Sequence, residues 1–374
     1  MVDFTRIATP GVSGLTPYQP GKPVEALERE LGLDNIVKLA SNENPLGPSP
    51  LAVEAAGKVI AGINIYPDDI GFRLRHRLAE KYQVATDCIT LGSGSSDVID
   101  MVVRSFLGPG RNAVFSEHSF AMYPIYTQAS GAQGKVAAAF PADHPEMPYG
   151  HDLDAMLALV DENTRVVFIA NPNNPTGTWL TSDSLRTFIE KVPGDVVIVL
   201  DEAYTEYVTE PEYPDGIQWL ADFPNLIVTR TFSKIYGLAG LRVGYGVCST
   251  ELASVINRVR HPFNVNSAGL AAAEAALDDQ DFLKASVANN QAGLKQLMGA
   301  STEMGLSFIP SVGNFLCINM GQSGAELFDA LLRQGVIVRP VGNYQLPDYL
   351  RVTVGTAAEN QSFIVALKKV LKLD

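Results

Sequence analysis

The ten residues Asp195–Tyr204, DVVIVLDEAY, place five consecutive apolar side chains ahead of an aspartate, a glutamate and a tyrosine. The run does not alternate. A strand with one wet face reads apolar, polar, apolar, whereas a strand covered on both faces reads as a continuous apolar run. The stretch therefore predicts a strand inside a sheet with helices on both sides, and it puts Asp201 at the strand's carboxyl end.

The flanking sequence repeats this pattern. RVVFIA (165–170) and NLIVTRTFS (225–233) read as strands of the same kind, with SDSLRTFIEKV (182–192) helical before the 195–204 strand. Further upstream, CITLGSG (88–94) reads as strand and turn, SSDVIDMVVRSFL (95–107) as helix, NAVFSE (112–117) as strand and DLDAMLALV (152–160) as helix. Strands alternating with helices predict an α/β fold with a large, mostly parallel sheet. This domain is expected over 46–265. Before it, 1–45 is rich in proline and glycine and reads as an arm with one short helix, VEALERELGL (24–33). After it, 267–298 is Ala-rich and helical and reads as a connection. SFIPSVGNFLCINM (307–320), GAELFDALLRQG (324–335), VIVRPV (336–341) and YLRVTVG (349–355) complete a smaller α+β domain over 266–374.

Bulk properties narrow the function. A net charge of −13 over 374 residues argues against nucleic acid, whose binders carry a basic face. No apolar run approaches the roughly 20 residues of a membrane helix, and MVDFTRIATPGVSG at the start has no apolar signal core. Three dispersed cysteines give neither metal spacing nor a disulfide framework and suit a reducing compartment. A soluble, cytoplasmic protein is expected.

In open α/β sheets, ligands bind beyond the carboxyl ends of the strands. There the sequence places NPNNPTG after 165–170, DEAY after 196–200, TFSK after 225–230 and GSGSSD after Leu91. The Gly-Ser turn ahead of a helix offers free N–H groups to a phosphate, or is a plain capped turn. Asp97 stands where a dinucleotide turn needs its third glycine, so a single phosphate fits better. Asp201 suits a cationic ring nitrogen, or a structural ion pair. Tyr204 lies within reach of the same ring. In TFSKIYGLAGLRVGY (231–245), Lys234 and Arg242 share an apolar stretch with no acidic residue. A lysine buried beside another cation loses its proton more readily and forms a Schiff base with a carbonyl. Arg242 offers a planar fork for phosphate, and Thr231 and Ser233 add hydroxyls. Together these groups meet the needs of pyridoxal phosphate: an amine, a carboxylate for the pyridine nitrogen, donors for the ring oxygen and a phosphate cup.

These motifs, with LTPYQPGKP (15–23), LASNENPLGPSP (39–50), YPDD (66–69) and LRVTVGT (350–356), occur in an order that resembles the fold-type I, pyridoxal-phosphate-dependent aminotransferases of class I/II over nearly the whole chain. The resemblance is greatest to the branch that acts on histidinol phosphate. It implies that Lys234 holds the cofactor and moves the proton. Asp201 would pair with the pyridine nitrogen, and Asn174 and Tyr204 would donate to the ring oxygen. Ser95, Ser96, Thr231, Ser233 and Arg242 would hold the phosphate, and Phe120 would stack on the ring. Tyr66 would reach the phosphate of a neighbouring subunit's cofactor, which implies a homodimer with shared sites. Arg351 would bind the substrate carboxylate, with Asn42 nearby, and Tyr18 and Arg339 would meet the substrate phosphate. His118 stands where related enzymes often carry proline. The implied substrates are glutamate, 2-oxoglutarate, histidinol phosphate and imidazole-acetol phosphate. An aromatic amino acid aminotransferase, a phospho-amino-acid decarboxylase on the same scaffold and a non-catalytic cofactor-binding module are the alternatives.

Overall fold

The computed structural model describes residues 2–33 and 35–373. Its centre is a seven-stranded sheet: β1 Ile89–Gly92, β2 Asn112–Ser116, β3 Gln133–Ala137, β4 Thr164–Ala170, β5 Val197–Asp201, β6 Leu226–Thr231 and β7 Gly244–Cys248. The spatial order is β1-β7-β6-β5-β4-β2-β3. Every neighbouring pair is parallel except the two made by β7, which runs antiparallel between β1 and β6. The mostly parallel, doubly covered sheet expected from the apolar runs is therefore present. Val166–Ala170 and Val197–Leu200 are all buried, as strands covered on both faces require.

Register sets the strand ends side by side. Ala170 pairs with Asp201, and Asp201 with Thr229. Gly244 at the start of β7 lies opposite both Gly92 and Thr231. Any side chain there would collide with the next turn, since a Cβ on Gly244 would lie 2.2 Å from the Ser95 nitrogen. Glycine at this point lets the sheet approach the helix Ser95–Phe106 closely.

Successive strand residues point to opposite faces. Asp201 faces the cleft beyond the sheet edge, while Glu202 is wholly buried on the other side. Two nitrogens of Arg230, 2.9 and 2.6 Å away, donate to the Glu202 carboxylate, and Arg230 also donates to Asp215 at 2.6 Å. Burial pushes the Glu202 carboxyl upward, and Arg230 and the Gly216 N–H oppose that push. Removing one partner of such a pair leaves a buried charge and costs about 3–5 kcal/mol.

The Ala-rich stretch is two helices rather than one long connection. Ser267–Ala276 and Gln280–Glu303 are separated at Asp279, whose side chain caps the second helix and accepts a 2.6 Å bond from Ser49. Ala272, Ala273 and Ala276 pack into the main core, whereas Leu294 and Leu297 pack into the C-terminal core. That second core lies against a four-stranded antiparallel sheet built from Phe308–Ile309, Phe315–Asn319, Arg339–Val341 and Leu346–Thr353. The arm joins it through Val37–Lys38, which pairs in parallel with Val336–Ile337.

Candidate active site

One cleft opens where the carboxyl ends of β1, β4, β5 and β6 meet the C-terminal sheet and the arm. All the candidate cofactor- and substrate-binding residues named from sequence line it except Tyr66.

Lys234 follows β6. Its Nζ donates to the Ser41 carbonyl at 3.1 Å and lies 5.7 Å from the centre of the Tyr204 ring. Burial, with Arg351 and Arg242 nearby, pulls its pKa down to about 8, against the pull of Glu43 and Asp201. The amine thus approaches the range in which a neutral, nucleophilic fraction exists near neutral pH.

Asp201 is buried and holds three donors. Tyr123 Oη donates to Oδ2 at 2.9 Å, Thr229 Oγ1 donates to Oδ1 at 3.2 Å, and the Ala203 N–H adds a third. Burial raises the Asp201 pKa and these donors oppose the rise, with help from the Lys234 charge. Tyr123 lies in the helix Met122–Ala129 and is fully buried. Its ring stacks on Phe168 at 4.7 Å with 7° between planes, while Phe120 meets it edge-on at 5.7 Å. Sequence reasoning missed Tyr123, although it stands three residues after Phe120. A buried tyrosine beside an apolar strand reads as core until the carboxylate opposite is placed.

Tyr204 Oη accepts from Asn42 Nδ2 at 2.9 Å, which leaves its own proton to donate into the cleft. Burial pushes its pKa up to about 12, so it stays protonated. Asn42 is fixed by Thr353, which accepts from its N–H at 2.9 Å and donates to its Oδ1 at 3.1 Å. Asn174 accepts through Oδ1 from Arg351 Nη1, so its amide N–H₂ remains to donate.

The turn between β1 and its helix forms a cup. Gly94 has φ of +86°, and a Cβ there would lie 2.3 Å from Arg242 Nη2. The N–H groups of Ser95 and Ser96 open the helix Ser95–Phe106, where the helix dipole favours an anion. Asp97 is turned aside: Oδ2 accepts from the Ser93 N–H and from Asn264 Nδ2, both at 2.8 Å. Arg242 donates to Ser233 Oγ and the Ala239 carbonyl, each at 3.2 Å. Among the described residues it pairs with no carboxylate. Thr231 Oγ1 accepts from the Ser233 N–H at 3.1 Å.

Arg351 and Arg339 are both buried and lie directly opposite one another in the antiparallel C-terminal sheet. Like charges so placed repel. Arg351 Nη2 donates to the Ala40 carbonyl at 2.8 Å, and its buried Nε has no partner among the described residues. Arg339 donates to the Gln19 carbonyl at 2.6 Å and lies 5.6 Å from the Tyr18 ring centre. Lys234, Arg242, Arg339 and Arg351 therefore meet in one cleft, and Asp201 is the one carboxylate among the residues that line it. In a chain of net charge −13, that concentration of cations marks an anion site.

Tyr66 lies apart. It is 78% exposed and stacks on Phe263 with ring centres 4.6 Å apart. His118 is buried, with Nδ1 2.7 Å from the Tyr344 carbonyl.

The family model for aminotransferase class I and II matches residues 34–367. The chain is 56% identical over 370 residues to histidinol-phosphate aminotransferase 2 of Methylococcus capsulatus, covering 99% of this chain and 100% of that one. It is 55% identical over 376 residues to the protein of the same name in Pseudomonas aeruginosa, with both chains covered in full. Among solved structures, histidinol-phosphate aminotransferase from Sinorhizobium meliloti in complex with pyridoxal-5'-phosphate superposes with a TM-score of 0.88 at 29% identity, over 97% of each chain. Aspartate aminotransferase of Thermus thermophilus shares the fold at a TM-score of 0.84 and 19% identity, over 98% of this chain and 99% of that one. With its sheet, its cleft and a match across most of its length, the chain belongs to the class I and II aminotransferase family.

Proposed function

We propose that this protein is a pyridoxal-phosphate-dependent aminotransferase that interconverts histidinol phosphate and 2-oxoglutarate with imidazole-acetol phosphate and glutamate, a step of histidine biosynthesis. The observation that carries the reading is the cleft itself, where a buried amine faces a buried carboxylate between two anion-seeking ends, in a chain about 55% identical to enzymes named for that reaction.

The residues present fit the cofactor. The Gly94 cradle, the free N–H groups of Ser95 and Ser96 and the carboxylate-free Arg242 suit its phosphate, with Thr231 and Ser233 beside them. Asp201, whose three donors favour the carboxylate against the upward pull of burial, suits the pyridine nitrogen. Tyr204 and Asn174 have donors left for the ring oxygen, and Phe120 offers a ring face. When bound, the cofactor supplies an electron sink for the carbon that loses its proton. Lys234 would hold the group through Nζ and would move that proton as general base and acid. Asp201 would pair with the ring nitrogen.

Arg351 meets the carboxylate of glutamate, with Asn42 fixing the floor. Histidinol phosphate carries a phosphate ester and no carboxylate, so its anion is the phosphate. Arg339 with Tyr18 lies beside Arg351 in the same cleft to receive it. Tyr66 serves the neighbouring subunit of a homodimer. Ile63 and Ile65 beside it are 63% and 69% exposed, an apolar face suited to a second copy. No helix among the described residues is long and apolar enough to cross a membrane.

The test is a two-step exchange. Glutamate should shift the visible absorbance of the loaded enzyme, and imidazole-acetol phosphate should restore it faster than phenylpyruvate does. Faster restoration by phenylpyruvate would favour an aromatic amino acid aminotransferase. Release of carbon dioxide from a phosphorylated amino acid would favour a decarboxylase.

A further inference from the structure

The exposed Tyr66 is not loose. Its ring lies on Phe263 with 20° between planes. Phe263 itself has φ of +55°, a left-handed conformation that is strained for a bulky residue and persists only where surrounding contacts impose it. Those contacts come from Asp69. Its Oδ1 accepts the Phe263 N–H at 2.6 Å. Oδ2 accepts from Arg260 Nη2 at 2.7 Å, and Oδ1 and the backbone carbonyl accept from Nη1 at 3.2 and 2.9 Å. Asp69 is thus tied both to the residue under the Tyr66 ring and to the arginine three positions before it.

The bonds continue inward. Arg260 Nη1 donates to Asn264 Oδ1 at 3.1 Å. Asn264 Nδ2 donates to the Leu91 carbonyl at 3.1 Å and to Asp97 Oδ2 at 2.8 Å, and Asp97 holds the Ser93 N–H. Ser93 opens the turn that the site uses as its phosphate cup. On the other side, Asp68 Oδ2 accepts the Phe72 N–H at 2.7 Å, which fixes the same segment to the helix Phe72–Tyr82.

We propose that Asp69, Arg260 and Phe263 are positioning residues that hold Tyr66 in the orientation needed to complete a partner subunit's phosphate cup, anchored through Asn264 and Asp97 to the cup of their own subunit. The inference rests on the reading that Tyr66 meets the phosphate of the partner's cofactor. Without the Asp69 carboxylate, the Phe263 N–H loses the acceptor that holds its left-handed conformation. The segment relaxes, the aromatic pair separates and Tyr66 samples other directions. The loss then falls on the cofactor's phosphate and not on its ring.

That selectivity separates positioning from simple destabilisation. The full-length chain is titrated with pyridoxal phosphate and, separately, with pyridoxal, which lacks the phosphate. Asp69→Asn keeps the volume and removes the charge. Asp69→Asn and Tyr66→Phe are each expected to weaken pyridoxal phosphate about tenfold, within the usual range of coupling between sites, and to leave pyridoxal within about twofold of the parent. The double variant is expected to lose no more than either single one, because both act on one contact. If Asp69→Asn folds poorly, Arg260→Lys keeps a cation with fewer bonds and should show the same selectivity at smaller amplitude. Equal loss of both ligands, or no loss in Asp69→Asn while Tyr66→Phe shows the phosphate-selective loss, would overturn the positioning role and leave the Tyr66 reading intact. An unchanged phosphate preference in Tyr66→Phe would overturn both.

Discussion

Replacing Tyr123 by phenylalanine removes one oxygen and leaves the ring. The stack on Phe168 and the edge contact with Phe120 are retained, so packing changes little. What is lost is the 2.9 Å donor to Asp201 Oδ2. A hydrogen bond to a charged group contributes about 1.5–3 kcal/mol, or roughly ten- to a hundredfold in the balance between carboxylate and acid, so its loss moves the carboxyl pKa upward. The direction is fixed: burial already raises this pKa, and Tyr123 is the largest of the influences that oppose it. A protonated Asp201 cannot hold a positive ring nitrogen. The affinity of Tyr123→Phe for pyridoxal phosphate should therefore fall on the acid side at a clearly higher pH than in the parent. Titration of the full-length chain with cofactor across pH, followed by the visible absorbance, reads this directly. Superimposable acid limbs, or a loss independent of pH, would refute the claim that Tyr123 acts through the Asp201 charge.

Three further outcomes follow from the same geometry. In the cofactor-free chain the Lys234 pKa of about 8 lies below the value of about 10.4 for an exposed lysine, so between those pH values the unfolded state binds more protons and stability rises with pH. Lys234→Met should flatten that rise in melting temperature and lower transaminase activity about a thousandfold or more. Gly94→Ala forces a side chain onto a φ of +86° and against Arg242, and it should weaken pyridoxal phosphate about tenfold by equilibrium dialysis, the equivalent of about 1.4 kcal/mol. Arg351→Lys replaces a fork with a point charge and should lower kcat/KM for glutamate by about ten- to a hundredfold in steady-state assays.

Much of the site was legible because parallel strands deliver their carboxyl ends to one edge. Asn174, Asp201 and Lys234 each follow an apolar run, and the sheet brings them together as that rule requires. What escaped reading escaped for physical reasons. GYGVC at Gly244–Cys248 has two glycines in five residues, so its strand propensity is low, yet Gly244 permits the close approach at Ser95 and Gly246 the one at Val98. Gln133–Ala137 is a largely exposed edge strand whose polar residues give no apolar run. The 267–298 stretch reads as continuous helix because alanine dominates it, and the break depends on Asp279 meeting Ser49 from far along the chain. The opposed pair Arg339 and Arg351 cannot be placed without strand register. Glu202 follows Asp201 in DEAY but pairs with the buried Arg230 and faces away from the cleft, a separation that only the sheet and its register reveal.

The central claim is that Nζ of Lys234 carries the cofactor. Borohydride reduction of the loaded enzyme, followed by peptide mapping, should find a pyridoxyl group on the peptide that contains residues 231–242 and on that lysine. An adduct on another lysine, or none, would contradict the account.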